Sequence, residues 1–472
     1  HMISKELQQK VENYADRCRK DVVEDLKALV RIPSVSHYGA DGKPFGEGCA
    51  RALAKALELA EGHGLAVQNC GDWYGLAQYG EGDKTIGLFS HLDVVPEGNN
   101  WIYSPYDPTE KDGLLIGRGV ADNKNAAVVS MYVMRAFREL GLPLRSRISL
   151  FFGCSEETGM QDIDRFVAEQ PMPDFSIVPD TDFPVCHGEK GILSCQARSG
   201  RPWRQVKSLT GGFVGNMVPD HAAALLPMDA ALLDALHAAA AGAQGVTVTA
   251  GEDEITVSAA GLGAHAAHPQ GGDNAIRKLC AFLAGVEAIH REDRELCAFV
   301  AGTLADCYGT GLGIAWEDAP SGKLTAISGV AETREGCLVV HYNIRYPVTH
   351  RGELVKEGLE KTFAPAGWQL TVTGDSAPMY LPADDPKVRE LSRVYAEVTG
   401  KDATPYVMGG GTYARHIQNA VGFGMESRID AGLPAGHGGV HEPDEAVKID
   451  DLVEAIKIYV LSILEVDQIL HS

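Results

Sequence analysis

His91-Leu92-Asp93-Val94-Val95-Pro96 closes the apolar run Ile86-Gly87-Leu88-Phe89 and delivers an imidazole and a carboxylate into one turn. Residues i and i+2 of an extended chain point to the same face, so one of this pair can hold a metal while the other orients it. Four further segments place an acid or an imidazole beyond a predicted strand or ahead of a helix. They are Gly117-Arg118-Gly119-Val120-Ala121-Asp122-Asn123-Lys124, then Ser155-Glu156-Glu157-Thr158 after the strand Ile148-Ser149-Leu150-Phe151-Phe152. Pro179-Asp180 follows Phe175-Ser176-Ile177-Val178, and Gly438-Gly439-Val440-His441-Glu442-Pro443 lies far downstream. Ligands of open α/β sheets gather at the carboxyl edge of the strands. Carboxylates that converge there repel one another unless cations neutralise them, and two His with several Asp or Glu suit zinc, manganese or cobalt. These residues predict a two-metal hydrolase.

The elements that position these groups follow from apolar periodicity. Leu7, Val11, Tyr14, Cys18, Val22, Leu26 and Leu29 recur at helical spacing and predict an amphipathic helix that Pro33 ends. Strand and helix patterns then alternate as far as Pro179, with 125–140 the clearest helix, and the style returns in a final helix over 449–470. That rhythm predicts a mainly parallel sheet covered by helices. Between about 188 and 382 the character changes. Strands are predicted over 254–258 and 336–346, an amphipathic helix over 274–289, and a helix across the Ala-rich stretch 222–241, broken by Pro227 and Asp229. His441 must join ligands far upstream, so the middle section reads as an insertion. The expected fold is α/β: a mainly parallel-sheet two-metal catalytic domain built from 3–187 and 383–472, with an inserted α+β lid domain at 188–382.

The length of 472 residues calls for two domains, and 45% hydrophobic with 22% charged residues is globular composition. A net charge of -22 argues against nucleic acid and anionic membranes, which attract basic surfaces. No long uninterrupted apolar stretch offers a membrane span and no signal-peptide pattern opens the chain. The ten scattered cysteines lack a C-x-x-C pair and point to a reducing, cytoplasmic setting. His1-Met2 reads as a cloning remnant.

Taken in order, His-x-Asp, Gly-Arg-Gly-x-x-Asp, Glu-Glu, Asp and a late His resemble the family of two-zinc aminoacylases, glutamate carboxypeptidases and dipeptidases. Within it the chain is most similar to the bacterial dipeptidase V and carnosinase-like branch. The resemblance runs from Arg31-Ile32-Pro33-Ser34-Val35-Ser36 nearly to the C-terminus. It implies that Asp122 bridges two ions, that His91 and Asp180 complete one metal site, and that Glu157 and His441 complete the other. It makes Glu156 the general base and Asp93 the clamp on the His91 ring, and it implies a cis peptide between Asp122 and Asn123. In the lid, His265 matches a histidine that steadies the oxyanion, with His268 as runner-up. Asn216 resembles a residue that reaches the substrate, and Arg345 one that holds its terminal carboxylate, for which a guanidinium fork is suited. The loop Gly409-Gly410-Gly411-Thr412-Tyr413 matches one that offers backbone N–H groups to the same carboxylate, a close approach glycine permits.

Each residue also has a plainer reading. Asp122 could cap a helix, the Glu pair could be solvated surface, and His265 could sit in an ordinary turn. Arg345 could be a solvated charge on a strand edge, the glycines a flexible turn, and His437 competes with His441. One departure stands out: where many relatives carry Asp-Asp-Lys-Gly, this chain has Asp122-Asn123-Lys124-Asn125.

The resemblance implies a metal-dependent dipeptidase, with zinc the first choice of its two divalent ions and manganese or cobalt as alternatives. Its partner would be a small peptide with both termini free. The rival readings are an amidohydrolase acting on N-acyl amino acids and a catalytically silent peptide-binding relative. The large insertion implies a monomer, a double-sized lid standing in for the partner subunit of dimeric relatives and closing about hinges near Cys186 and Pro382.

Overall fold

The computed structural model describes residues 3–425, 429 and 432–472. The chain separates into two compact units: one of residues 1–187, 381–406 and 411–472, the other of 188–380 and 407–410.

In the first unit the apolar periodicity of the N-terminal segment becomes the helix Lys5–Val30, capped by the Ser4 side chain and burying Val11, Tyr14, Cys18, Val22, Leu26 and Leu29. It packs with the helices Lys124–Glu139 and Ile449–Leu470. Six strands of a mixed sheet lie in this unit, in the order Ala66–Cys70, Tyr74–Tyr79, Arg147–Gly153, Thr85–His91, Phe175–Val178, Ala420–Gly422. The last four run parallel, but the first two are antiparallel to their neighbours. The expected mainly parallel sheet is therefore a parallel centre with an antiparallel edge. A tight turn joins Ala66–Cys70 to Tyr74–Tyr79, and so short a connection permits only antiparallel pairing.

Alternation along the strands separates two faces. Ile86, Leu88, Ile148, Leu150 and Phe152 join the helical core, whereas Phe89 and Phe151 turn to the opposite side, against Phe166. His91 follows the Phe89 side, its ring 6.3 Å from that of Tyr413. Register sets His91 opposite Gly153, so the turn that follows Gly153 begins level with His91.

The second unit is an eight-stranded sheet, antiparallel throughout, ordered Val246–Ala250, Glu254–Ala260, His221–Pro227, Ser208–Gly211, Thr325–Arg334, Cys337–Tyr346, Gly191–Pro202, Gln369–Ser376. Helices Ala275–Ala284 and Arg291–Thr303 contribute Ile276, Leu279, Cys280, Leu283, Leu296, Cys297 and Val300 to its core. The Ala-rich stretch 222–241 is not one helix. His221–Pro227 is an interior strand whose Ala222, Ala224 and Leu226 are buried in alternation, a period of two that the alanine content hides. Only Ala230–Ala240 is helical, capped by Asp229. The helix expected over 274–289 stops at Ala284, where Gly285 caps it.

Val407–Gly410 groups with the second unit although its sequence neighbours on both sides belong to the first. The Lys190 N–H donates to the Met408 carbonyl and Arg345 Nη1 donates to the Gly409 carbonyl at 2.7 Å. These long-range bonds have no signature in local sequence.

Candidate metal centre

Three turns at the carboxyl edge of the parallel strands and one C-terminal loop bring six groups together in the first unit. His91 ends its strand, and its Nε2 lies 3.0 Å from Asp122 Oδ1, 3.3 Å from Asp180 Oδ2 and 3.6 Å from Glu156 Oε2. Asp122 precedes the helix Lys124–Glu139, and its other oxygen, Oδ2, lies 2.9 Å from His441 Nε2. That same nitrogen is 3.0 Å from Glu157 Oε1. Asp122 thus faces a histidine with each carboxylate oxygen, and it does not cap the helix: the capping position is Asn123, whose side chain makes no capping bond. The Asp122–Asn123 peptide is cis. His437, the competitor of His441, is engaged elsewhere, its Nδ1 2.6 Å from Asp444 Oδ2.

Two of the trios that could hold an ion share Asp122: His91, Asp122 and Asp180 form one, and Asp122, Glu157 and His441 the other, their candidate ligand atoms lying within 4.8 Å of one another. Imidazole with carboxylate is the donor set of zinc and neighbouring divalent ions. The electrostatics show why a cation fits. Burial, with the charges of Asp180 and Glu157, pushes Glu156 well above the usual carboxylate range. Burial and the charge of Asp122 push Glu157 up to about 8, and burial lifts Asp180 to about 6. Hydrogen bonds to Asp122 and Glu157 raise His441 to about 11. Three carboxyls crowded beyond what water would tolerate, two imidazoles drawn towards the charged state and one shared aspartate make a site whose protons stand where metal charge would.

Asp93 departs in detail from the expected ring clamp. His91 Nδ1 lies 2.8 Å from the Asp93 backbone carbonyl and 3.3 Å from its carboxylate. The carboxylate instead accepts the N–H groups of Glu156 at 3.2 Å and Glu157 at 2.9 Å, so Asp93 orients the acid pair as well as the ring. Asn123 is fully buried; its Oδ1 accepts from the His91 N–H at 3.1 Å and its Nδ2 donates to the Pro179 carbonyl at 2.8 Å.

The remaining candidates lie in the second unit, apart from Gly411. Asn216 and His265 are exposed neighbours: Met217 pairs with His265, and the Asn216 carbonyl accepts from Ala266. The Ala267 N–H donates to His265 Nδ1 at 3.0 Å, which leaves Nε2 as the protonated nitrogen of the neutral ring. Arg345 is buried on an interior strand, its Nε bonded to Asn343 Oδ1 at 2.8 Å and its Nη1 to the Gly409 carbonyl, so it is not a solvated edge charge. A Cβ at Gly409 would come within 3.1 Å of Ala267, and one at Gly411 within 2.6 Å of Arg415 Nε. The contact at Gly409 includes the Ala267 backbone, whereas that at Gly411 is with a side chain that can move aside. Tyr413 OH, in the same loop, donates to Asp162 Oδ2 at 2.5 Å.

Sequence reasoning missed the buried carboxylates that hold the loops of the candidate ligands. Asp162 accepts the N–H groups of Cys154 at 2.7 Å and Ser155 at 3.1 Å, just ahead of Glu156. Glu445 does the same for the turn into Asp122. Neither left a signal in the sequence: Glu445 stands beside Glu442 and Asp444, three acids of one loop that pattern does not tell apart.

The profile of Peptidase family M20/M25/M40 matches residues 87–465. The Bacillus subtilis (strain 168) protein YtjP, itself only provisionally assigned as a dipeptidase, is 31% identical over 461 residues, covering 95% of this chain and 98% of that protein. The Beta-Ala-Xaa dipeptidase of Lactobacillus delbrueckii subsp. lactis is 29% identical over 462 residues, covering 95% of this chain and 96% of that one. Among solved structures, human carnosine dipeptidase 1 shares the fold with a TM-score of 0.57 at 19% identity, over 98% of this chain and 99% of that one.

Proposed function

This chain belongs to Peptidase family M20/M25/M40, and we propose that it is a metal-dependent dipeptidase that hydrolyses short peptides with both termini free. The observation that carries the reading is the pair of potential metal-binding trios joined by Asp122, with the carboxyl of Glu156 beside them. In this reading His91, Asp122 and Asp180 hold one divalent ion, and Asp122, Glu157 and His441 hold the other. Zinc is the first choice, and manganese or cobalt suits the same donors. Such ions would supply Lewis acidity, polarising the scissile carbonyl and lowering the pKa of the attacking water.

Glu156 then takes a proton from the attacking water and returns it to the leaving amine. A carboxyl whose pKa burial lifts is suited to both halves of that exchange. Asp93 holds the backbone of Glu156 and so fixes where the base points. His265 supplies Nε2–H to the developing oxyanion, a role its Nδ1 acceptance from Ala267 supports. Asn216, Arg345 and the backbone of Gly409, Gly410 and Gly411 recognise the substrate, Arg345 by its carboxylate, with the 188–382 insertion acting as lid. One chain then provides every role, so the working form is a monomer. Ten free thiols are in keeping with a cytoplasmic setting, and among the described residues no helix is long and apolar enough to cross a membrane.

A panel of dipeptides against N-acetyl amino acids, each with zinc, manganese or cobalt after exhaustive chelation, tests the reading. Dipeptide turnover restored by metal is the expected result. Preference for N-acetyl substrates would shift the chain to the amidohydrolases, and full activity without metal would remove the two-metal mechanism.

A further inference from the structure

We propose that Glu445, paired with Arg118, is a positioning residue of the metal centre, locking the loops of Asp122 and His441 into one rigid piece without touching metal or substrate. The inference rests on the reading of Asp122 and His441 as ligands.

Glu445 is wholly buried. Its Oε2 accepts three backbone N–H groups, from Gly119 at 3.0 Å, Ala121 at 2.9 Å and Asp122 at 3.1 Å. Its Oε1 lies 2.9 Å from Arg118 Nη1, and that guanidinium is equally buried. One carboxylate thereby fixes the peptide of the shared aspartate and the turn leading to it. That turn is tight: Gly119 has φ +98°, and a Cβ there would fall 2.9 Å from Val94 Cγ1.

Arg118 extends the lock. Its Nη1 also donates to the Glu442 carbonyl at 3.1 Å, next to His441, and its Nη2 donates to the Glu97 carbonyl at 3.1 Å and the Pro96 carbonyl at 3.4 Å. The Gly117 N–H donates to the Glu445 carbonyl at 2.8 Å, and Ala446 pairs with Ile116 beyond it. Loops far apart in sequence are thus fastened through one ion pair at the point where each delivers a ligand.

The chemistry calls for a carboxylate. Glu445 faces only donors, three N–H groups on one oxygen and a guanidinium on the other. A glutamine must turn its own NH2 towards one of those sets, so Glu445→Gln keeps the shape and breaks one side of the lock. Ligands left free to wander bind metal more weakly, and loss of such a supporting contact typically costs about 10- to 100-fold in affinity.

The experiment titrates metal-free protein with zinc or manganese by calorimetry and records thermal unfolding of the metal-free form. Wild type, Glu445→Gln, Asp122→Asn and Asp467→Asn are compared. Asp467 accepts the N–H groups of Arg145 and Ser146 at 3.0 and 2.8 Å in a buried setting that includes no candidate ligand, and so reports plain loop stability. The expected result is at least a tenfold loss of metal affinity in Glu445→Gln and none in Asp467→Asn, whatever either does to the melting temperature. Unchanged affinity in Glu445→Gln alongside weakened binding in Asp122→Asn would overturn the positioning role alone. Unchanged affinity in Asp122→Asn would instead overturn the ligand reading beneath it. Should Glu445→Gln not fold, Arg118→Lys carries the same test: it keeps the charge and loses the reach to Glu442, Pro96 and Glu97, and undiminished affinity there overturns the proposal.

Discussion

Asn123→Asp would install the acid that many relatives carry at this place, and the geometry predicts that this chain tolerates it poorly. Asn123 uses both ends of its amide, accepting from the strand end of His91 and donating to the carbonyl of Pro179, one residue before Asp180. A carboxylate keeps the first bond and cannot make the second. Two acceptor oxygens would then face each other across the 2.8 Å now spanned by a hydrogen bond. Losing that bond costs about 1 kcal/mol, and leaving a buried carbonyl unsatisfied adds about 1–3 kcal/mol, so metal-free Asn123→Asp should be less stable by about 2–4 kcal/mol at neutral pH.

The sign of its pH dependence follows. Protonation restores a donor towards Pro179, so the new carboxyl has a folded pKa above its unfolded value of about 3.9. A group raised in the folded state stabilises it most when protonated. The deficit relative to wild type should therefore be small near pH 4 and grow as pH rises through the folded pKa. Urea unfolding of both proteins in metal-free buffer across pH 4 to 8 measures the difference. Added manganese should shrink it, since a cation at the adjacent trio attracts the new charge. Equal stability at pH 8, or a deficit that does not narrow towards pH 4, would refute the reasoning.

Glu156→Gln should lose on the order of a hundred- to ten-thousand-fold in turnover while retaining metal; if it loses metal and Glu157→Gln keeps it, the two roles are reversed. Metal binding should release protons at pH 7 and tighten towards pH 8, because Glu157, at about 8, and His441, at about 11, hold protons that a metal must displace. Calorimetry in buffers of different ionisation enthalpy reads this directly, and buffer-independent heats would contradict it. Mixing inactive Glu156→Gln with inactive His265→Ala protein should recover no activity, since each monomer needs both residues; recovery would place the histidine across a subunit boundary.

The candidate ligands that the structure brings together were legible because their chemistry and their location agree: acids and imidazoles just past strands are conspicuous, and strands and helices of strong periodicity fell close to where pattern placed them. Phe175–Val178 and Ile449–Leu470 match their predicted bounds. What escaped was set by long-range pairing. The strand His221–Pro227 looks helical by composition and is made a strand by its neighbours on both sides. The antiparallel pairing of Tyr74–Tyr79 with Arg147–Gly153 and the grouping of Val407–Gly410 with the second unit likewise depend on distant partners. Glu445 and Asp162 were invisible for another reason: a carboxylate that binds backbone N–H groups recognises no side chain, so no residue pattern betrays it.

Those silent carboxylates bear on how the centre is built. A cluster of Asp122, Glu156, Glu157 and Asp180 repels itself, and flexible loops would relieve the strain by spreading the acids apart. Asp93, Asp162 and Glu445 prevent that by fixing the backbone on which the acids ride, each accepting N–H groups within the ligand loops or immediately before them. Burial together with the charge of Asp122 pushes Glu157 up to about 8, and burial lifts Asp180 to about 6, so acids held close in this way favour either protons or a cation beside them. Backbone hydrogen bonds one layer behind the candidate ligands thus hold them in place, and substitutions there should be felt first in metal affinity and only afterwards in turnover.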